Sequence, residues 1–294
     1  MMRHVSQPLM RSCSNWYSQV PQAYVPEPTP SPVQQAPTLG GTGITIISAQ
    51  QQDIVQAPHA PRPSWLSNNG PGQANVAPSS WSISLDNFIV FVRACMETHT
   101  WRVLAEVKEG GSTSITMYDL NRHFITPWTS GTGCSIAGLM DDNQGSVELM
   151  ISHAWAGSVV ESLSAVKTMI NMFLLPKETR IFFCTLCMYQ PQDNATGGLS
   201  IAQQLTRNPF AEIISQRPSH GMYIIHTSIS EVYTRLWCVH EVDECEANGI
   251  DMFGAFDPAS WNDTALKNMA TIVLYRPLRS WYEHGDRKSV VFIP

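Results

Sequence analysis

Short apolar runs alternate with amphipathic segments through the second half of the chain, and this alternation constrains the fold strongly. The runs cover residues 147–152, 181–187 and 222–226. Each is almost continuously apolar, as is typical of strands buried on both faces of a sheet. Between the first two runs, apolar residues recur at helical spacing from Val159 to Phe173. Strands that alternate with helices predict a parallel sheet, so we expect an α/β domain with a doubly wound sheet.

The third run is followed by a capping-box pattern, in which Glu231 stands three residues after Ser228. This pattern predicts a helix that begins at Ser228 and ends at Gly249, a residue favoured just beyond a helix C-terminus. Other segments predict further elements by their apolar spacing: helices at 84–99, 202–214 with a break at Pro209, and 261–269, and strands at 114–117, 124–128, 250–256 and 271–275.

Composition divides the chain into three parts. Residues 1–80 contain twelve of the twenty prolines and only five charged side chains. Proline removes backbone donors, and so few apolar residues cannot offset the entropy of ordering, so a disordered tail is predicted. Residues 81–145 are expected to form an N-terminal extension of one helix and irregular structure, packed on the domain. Residues 146–294 are predicted to form the α/β domain.

Charge and hydropathy exclude several classes of protein. The net charge of −6 gives no electrostatic footprint for duplex nucleic acid, so no nucleic-acid partner is expected. No apolar run approaches the ~18 residues that span a bilayer. The seven scattered cysteines do not form a secreted disulfide framework, so a cytoplasmic location is expected. The acid-poor N-terminus, with Arg3 and Arg11, leaves organelle targeting open as an alternative.

Polar and aromatic residues follow the predicted strands at their carboxyl ends. They lie at 152–155 after the first run, at 189–190 after the second, and at 226–228 after the third. Ligands of doubly wound sheets bind at this edge, where the order of strands reverses. These tips are therefore candidate binding residues, although loop ends are often polar without any function.

One predicted helix carries an acidic residue on an apolar face. At 100° per residue, Trp237 and Glu241 lie one turn apart, and Cys238 falls on the same face. A carboxylate among indole and thiol groups must be ion-paired, raised in pKa, or available to a ligand. An ion pair with Arg235 or another basic residue is the structural alternative to a functional role.

Four segments together resemble a divergent TIR domain. They are Ile151-Ser-His-Ala-Trp155, residues 181–190, Asn208-Pro-Phe-Ala, and Arg235-Leu-Trp-Cys-Val-His-Glu241. The resemblance covers residues 146–256 and implies a flavodoxin-like fold. It also implies either NAD cleavage at the nicotinamide–ribose bond or, as the alternative, a non-catalytic signalling module that assembles by homotypic self-association.

The resemblance implies roles for particular residues. The catalytic carboxylate falls on Glu241, and NAD, a small nucleotide, is a substrate, so no cofactor or metal is expected. Substrate contacts are expected from the strand tips and from the helix that carries the glutamate: Ser152, His153, Trp155, Gln190, Arg235, Trp237 and Cys238.

Two further arrangements of cysteines offer alternatives to NAD cleavage by Glu241. Cys184 and Cys187 have the spacing of a metal or redox pair, but residues three apart on a strand face opposite sides. We therefore expect no metal there. Cys184 or Cys238 with His153 is an alternative nucleophile–base pair, for which the sequence supplies no orienting third group.

Overall fold

A computed structural model describes residues 57–109, 114–140, 145–191 and 198–260, together with the backbone of residues 291–292. The chain divides into two compact units, Met1–Val55 and Gln56–Pro294, and the described residues belong to the second. The elements predicted at 261–269 and 271–275 lie outside the described residues.

The core of the second unit is a mostly parallel sheet. Its strands are β1 (Ile83–Ser84), β2 (Leu149–His153), β3 (Arg180–Phe183), β4 (Met222–His226), β5 (Met252–Phe256) and β6 (Val291–Phe292). Their order is β1-β3-β2-β4-β5-β6, and every pair is parallel except β1 with β3. The prediction of an α/β domain built on parallel strands is confirmed.

Ten α-helices surround the sheet in the described part of the chain. They are α1 (Leu85–Met96), α2 (His99–Glu109), α3 (Met117–Leu120), α4 (Thr126–Thr129), α5 (Ile136–Leu139), α6 (Val159–Phe173), α7 (Cys184–Cys187), α8 (Ile201–Leu205), α9 (Pro209–Ser215) and α10 (Leu236–Asn248). A π-helical turn, Asn121–Ile125, joins α3 to α4. Among the described residues, none of these helices is both long and apolar enough to cross a membrane.

Helices cover both faces of the sheet. The ring of Phe182 in β3 packs against Phe210 of α9, with centroids 5.6 Å apart. Its neighbour Phe183 packs against Phe88 of α1, with centroids 4.9 Å apart. Successive residues of a strand point to opposite faces, so α1 and α9 lie on opposite sides of the sheet. The near-continuous apolar pattern of the strands reflects this double burial.

Part of the predicted tail is ordered. Within residues 57–80, Leu66 and Gln73 are buried. The side-chain amide of Gln73 donates to the backbone oxygen of Cys187 at 2.8 Å, and the indole of Trp128 donates to the oxygen of Ala60 at 3.0 Å. The predicted boundary at residue 80 is therefore too late. A few residues that form hydrogen bonds with the rest of the domain hold this proline-rich segment in place. The overall composition of a segment does not reveal such residues.

The extension over residues 81–145 contains more helix than predicted. The strands expected at 114–117 and 124–128 are wrong: residues 114–116 lead into α3 and make only an isolated bridge from Thr116 to Ser158, and residues 124–128 belong to the π turn and α4. A capping box at Thr116 and Asp119 starts α3. The helix predicted at 84–99 is confirmed as α1 with a break before His99. Strand β1 was missed because two residues are too few to show a period.

The helix predicted from Ser228 begins eight residues later, at Leu236. The hydroxyl and amide of Ser228 both donate to the carboxylate of Glu161 on α6, at 2.7 and 2.6 Å. Glu231 instead accepts from the backbone N–H of Tyr233 and caps a short 3₁₀ turn. A tertiary hydrogen bond has replaced the local capping box. The break predicted at Pro209 is confirmed, since α8 ends at Leu205 and α9 begins at Pro209.

Candidate functional site

The carboxyl ends of β2 and β4 form the point where the sheet reverses its order. From β2 the chain crosses to β3 on one side, and from β3 it returns to β4 on the other. The two connections leave in opposite directions, which opens a crevice for ligands in sheets of this kind. Ser152 and His153 end β2 at this point and pair with Ile224 and Ile225 of β4.

Helix α10 lies across these strands and brings Glu241 to the end of β2. The thiol of Cys238 donates to the backbone oxygen of His153 at 3.5 Å. One helical turn beyond Glu241, the thiol of Cys245 lies 3.6 Å from the sulfur of Met222 in β4. Glu241 is held between these two contacts and is only 6% exposed.

The carboxylate of Glu241 is electrostatically unusual. Burial raises its pKa from 4.5 to about 7, and the neighbouring Ser152 hydroxyl opposes the shift. Among the described residues, Glu241 Oε2 accepts no hydrogen bond, and neither of the two ion pairs, Lys108–Asp119 and Lys177–Asp86, involves Glu241. The alternative of an Arg235 pair fails, because that exposed guanidinium donates to the Tyr118 hydroxyl at 3.0 Å.

The Glu241 carboxylate acts electrostatically on three buried or half-buried thiols. Burial first, and then the nearby Glu241 charge, raise the pKa of the thiols of Cys184, Cys238 and Cys245. In an apolar region, a carboxyl group and three thiols all keep their protons to a higher pH than they do in water. The region therefore has a low capacity to stabilise the Glu241 anion unless a cationic group enters.

A second group of side chains lies beside the first. His153 Nε2 is 3.3 Å from Cys184 Sγ, and the indole N–H of Trp155 donates to the same sulfur at 3.3 Å. Burial lowers the pKa of His153 to about 4 and raises that of Cys184 well above its usual value. The pair is thus neutral near pH 7, and a thiolate nucleophile of the kind found in cysteine hydrolases is not preformed.

The predicted site residues divide into two sets. Ser152 and Cys238 lie beside Glu241, and His153 and Trp155 lie next to them at the end of β2. Gln190, Arg235 and Trp237 make their contacts elsewhere.

The three outlying residues contact the surrounding elements. The buried amide of Gln190 donates to the backbone oxygen of Met188 at 3.4 Å. Arg235 bonds to Tyr118. The ring of Trp237 packs on Phe210 of α9, with centroids 5.6 Å apart. Helical spacing placed Trp237 and Glu241 on one face, but that face is wide enough to meet two neighbours.

The prediction for Cys184 and Cys187 was wrong. The sequence pattern placed them on opposite sides of a strand, but the strand ends at Phe183 and both cysteines belong to α7. Cys187 Sγ accepts from the Phe183 N–H at 3.3 Å, while Cys184 meets His153. Among the described residues, no cluster of three or more His, Cys, Asp or Glu side chains could hold a metal ion.

No protein-family model matches the chain, and no curated protein or solved structure matches it significantly. The likeness to TIR domains therefore rests on the four sequence segments alone.

Proposed function

We propose that the chain contains a TIR-like domain that cleaves NAD at the nicotinamide–ribose bond, with Glu241 as the catalytic carboxylate. The strand order supports a flavodoxin-like fold: numbered from β2, the five parallel strands run 2-1-3-4-5. The observation that carries the proposal is the Glu241 carboxylate itself. It is buried at the switch point of the sheet, with no basic partner among the described residues.

The reaction suits a single carboxylate. The nicotinamide of NAD is a cationic pyridinium, so it leaves as a neutral base and needs no general acid. As the bond breaks, positive charge develops on the ribose, as it does in glycoside hydrolysis. A fixed anion beside the ribose stabilises that charge most where water is excluded. Glu241 is an anion of this kind when it is deprotonated.

The raised pKa of Glu241 also fits a cationic substrate. An unpaired buried anion is costly, which is why burial raises the pKa to about 7. A pyridinium ring or a developing ribosyl cation would supply the missing opposite charge and favour the deprotonated form. The Ser152 hydroxyl, beside the carboxylate, is suited to hold a ribose hydroxyl or to orient Glu241.

The test is release of nicotinamide from NAD by the purified full chain. Glu241→Gln keeps the shape of the side chain and removes its charge, and we expect it to lower turnover by at least about a hundredfold. Glu246→Gln, at an exposed position of the same helix, is the matched control and should retain turnover. Circular dichroism of both variants checks that the fold is intact.

Two results would reject the enzymatic proposal. One is the absence of nicotinamide release from the folded wild-type chain at millimolar NAD. The other is equal turnover by wild type and Glu241→Gln. Either result would favour the alternative role of a non-catalytic assembly module on the same scaffold.

A further inference from the structure

A cavity of about 370 Å³ opens at the amino-terminal edge of the sheet, opposite the edge that carries Ser152. Residues 217–221 and 249–251, which precede β4 and β5, form one side. The end of α6 and the segment after it, residues 173–176, form another side. The volume falls within the range of small-molecule sites, about 300–1,000 Å³. The catalytic proposal makes no use of this cavity.

Three aromatic rings form the inner wall of the cavity. The rings of Phe173 and Tyr223 have centroids 5.2 Å apart, and those of Tyr223 and Phe253 are 5.0 Å apart and nearly parallel. Phe173 and Phe253 close the triangle at 5.3 Å. The negative faces of such rings attract organic cations.

Two long helices point their carboxyl ends at the same cavity. Leu174 caps α6 and Gly249 caps α10, and both line it. The C-terminus of a helix carries a partial negative charge, which a Lys, Arg or His in the last turn often offsets. Neither α6 nor α10 has a basic residue in its last turn. The helix ends therefore give the cavity a negative potential that their own side chains do not offset.

Charged side chains stand at the rim. Asp251 adds a carboxylate, whereas Arg217 adds a guanidinium on an exposed residue. These two formal charges are of opposite sign. The two helix ends and the ring faces then leave a net preference for a cation.

Tyr223 brings a polar group to the cavity wall. Its side chain lines the cavity and is only 2% exposed, but its hydroxyl is not one of the fully buried atoms that lack a hydrogen-bond partner among the described residues. Burial raises the pKa of Tyr223 well above its usual value, so the hydroxyl stays neutral. The hydroxyl borders the cavity, where a polar group of a ligand can form a hydrogen bond with it in place of water.

We propose that this cavity binds a small organic ammonium ion that carries apolar substituents. The substituents pack on Phe173, Tyr223 and Phe253, the charge faces Asp251 and the ends of α6 and α10, and a polar group of the ligand bonds to the Tyr223 hydroxyl.

Three probes of one shape and different charge test this proposal in the full chain. Choline is the cation, 3,3-dimethyl-1-butanol is its neutral isostere, and 3,3-dimethylbutyrate is a similar anion. We expect calorimetry to give choline at least about tenfold higher affinity than either of the others. Equal affinities, preference for the anion, or no choline binding at 10 mM would overturn the proposal.

Variants then locate the binding. Tyr223→Phe keeps the ring and removes the hydroxyl, so we expect choline affinity to fall severalfold. Asp251→Asn removes the carboxylate and should reduce the preference for choline over its neutral isostere. Glu246→Gln removes a carboxylate from α10 at a position that does not line the cavity. Unchanged choline affinity in both cavity variants, or an equal loss in Glu246→Gln, would place the bound cation elsewhere and overturn the assignment.

Discussion

The imidazole of His153 stacks face to face on the ring of Phe183, with centroids 4.0 Å apart and planes 13° apart. The contact joins the carboxyl ends of β2 and β3 on the face of the sheet that α1 covers. One nitrogen of the same imidazole meets Cys184, the first residue after β3. Burial in this packing removes water from the imidazole, and the loss of hydration disfavours the charged imidazolium, so neutral His153 is favoured.

The first prediction concerns the protonation of His153. Burial lowers its pKa from 6.5 to about 4. The contribution of the neutral imidazole to the free energy of unfolding is therefore complete above pH 6.5. That stabilisation, about 3 kcal/mol, is lost as the pH falls towards 4. An NMR titration of the ring proton, assigned by its loss in His153→Gln, should show a midpoint below pH 5. A midpoint near 6.5 would mean that the stacked, buried position is not occupied in solution.

The second prediction concerns Glu241 and has the opposite sign. Its pKa is raised from 4.5 to about 7, so the stabilisation by its protonated form is complete below pH 4.5 and disappears as the pH rises through 7. Glutamine does not ionise. Glu241→Gln should therefore be more stable than wild type at pH 8, by about 3 kcal/mol at most, and similar to it at pH 4.5.

Denaturant unfolding at pH 4.5, 6 and 8 measures this difference. Glu246→Gln, at an exposed site on the same helix, should show no comparable gain with pH. If Glu241→Gln loses stability relative to wild type as the pH rises, a basic group must be paired with Glu241 in solution. A substitution that stabilises the fold and abolishes turnover would be expected of a strained functional carboxylate.

The third prediction follows the same ionisation in the proposed reaction. Only deprotonated Glu241 can stabilise a ribosyl cation, and burial raises its pKa to about 7. The kcat/KM for nicotinamide release should therefore rise about tenfold per pH unit up to about pH 7 and level off above it. Initial rates from pH 5 to 9 in buffers of constant ionic strength provide the measurement. A rate independent of pH below 7 would exclude ionisation of Glu241 as the controlling step.

Sequence patterns predicted the central strands better than the start of α10. Strands β2, β4 and β5 lie within two residues of the apolar runs, because strands buried on both faces have few polar positions to interrupt the pattern, whereas β3 ends four residues before its run does. The start of α10 was wrong because Glu161, 67 residues away, takes the hydrogen bonds of Ser228. A local propensity cannot anticipate a tertiary partner of that kind.

The site was only partly predictable for a related reason. Helical periodicity correctly made Glu241 a buried residue, since its position depends on one face of one helix. Periodicity could not separate Cys238, which faces β2, from Trp237, which turns to α9. Those positions depend on how α9 and α10 pack together. Cys184 was named only as an alternative partner of His153, and it was placed inside a strand because the last residue of a strand cannot be located in an apolar run that continues to Cys187.

The fourth prediction concerns the link between Glu161 and Ser228. Ser228→Ala removes the 2.7 Å hydrogen bond from the hydroxyl and leaves the 2.6 Å bond from the backbone. We expect a loss of about 1 kcal/mol, because the carboxylate is charged but Ser228 is exposed. Glu161→Gln should cost more, since glutamine retains only one acceptor oxygen for two donors. A double-mutant cycle by denaturant unfolding should give a coupling of about 1 kcal/mol, and zero coupling would contradict the bond.

The fifth prediction compares two glycines that share one backbone conformation. Gly131 has φ +74° and Gly221 has φ +73°, so alanine at either position pays the same left-handed penalty, about 1–2 kcal/mol. Around Gly131 an added Cβ meets nothing within 4 Å, whereas at Gly221 it would overlap the backbone oxygen of Asp251. That oxygen also accepts the N–H of Met222 at 2.9 Å, at the start of the paired strands β4 and β5. It cannot retreat without disturbing their register.

Gly221→Ala should therefore cost several kcal/mol more than Gly131→Ala, since overlap with backbone is relieved only by moving a strand. Urea unfolding of the two variants gives the comparison, and Gly131→Ala fixes the cost of the backbone conformation alone. Equal losses would mean that β4 and β5 begin farther apart than the structure has them. Gly221 and Asp251 both line the amino-terminal cavity, which would then have a different shape. In that case Gly221→Ala should change the free energy of choline binding by less than it changes the free energy of unfolding.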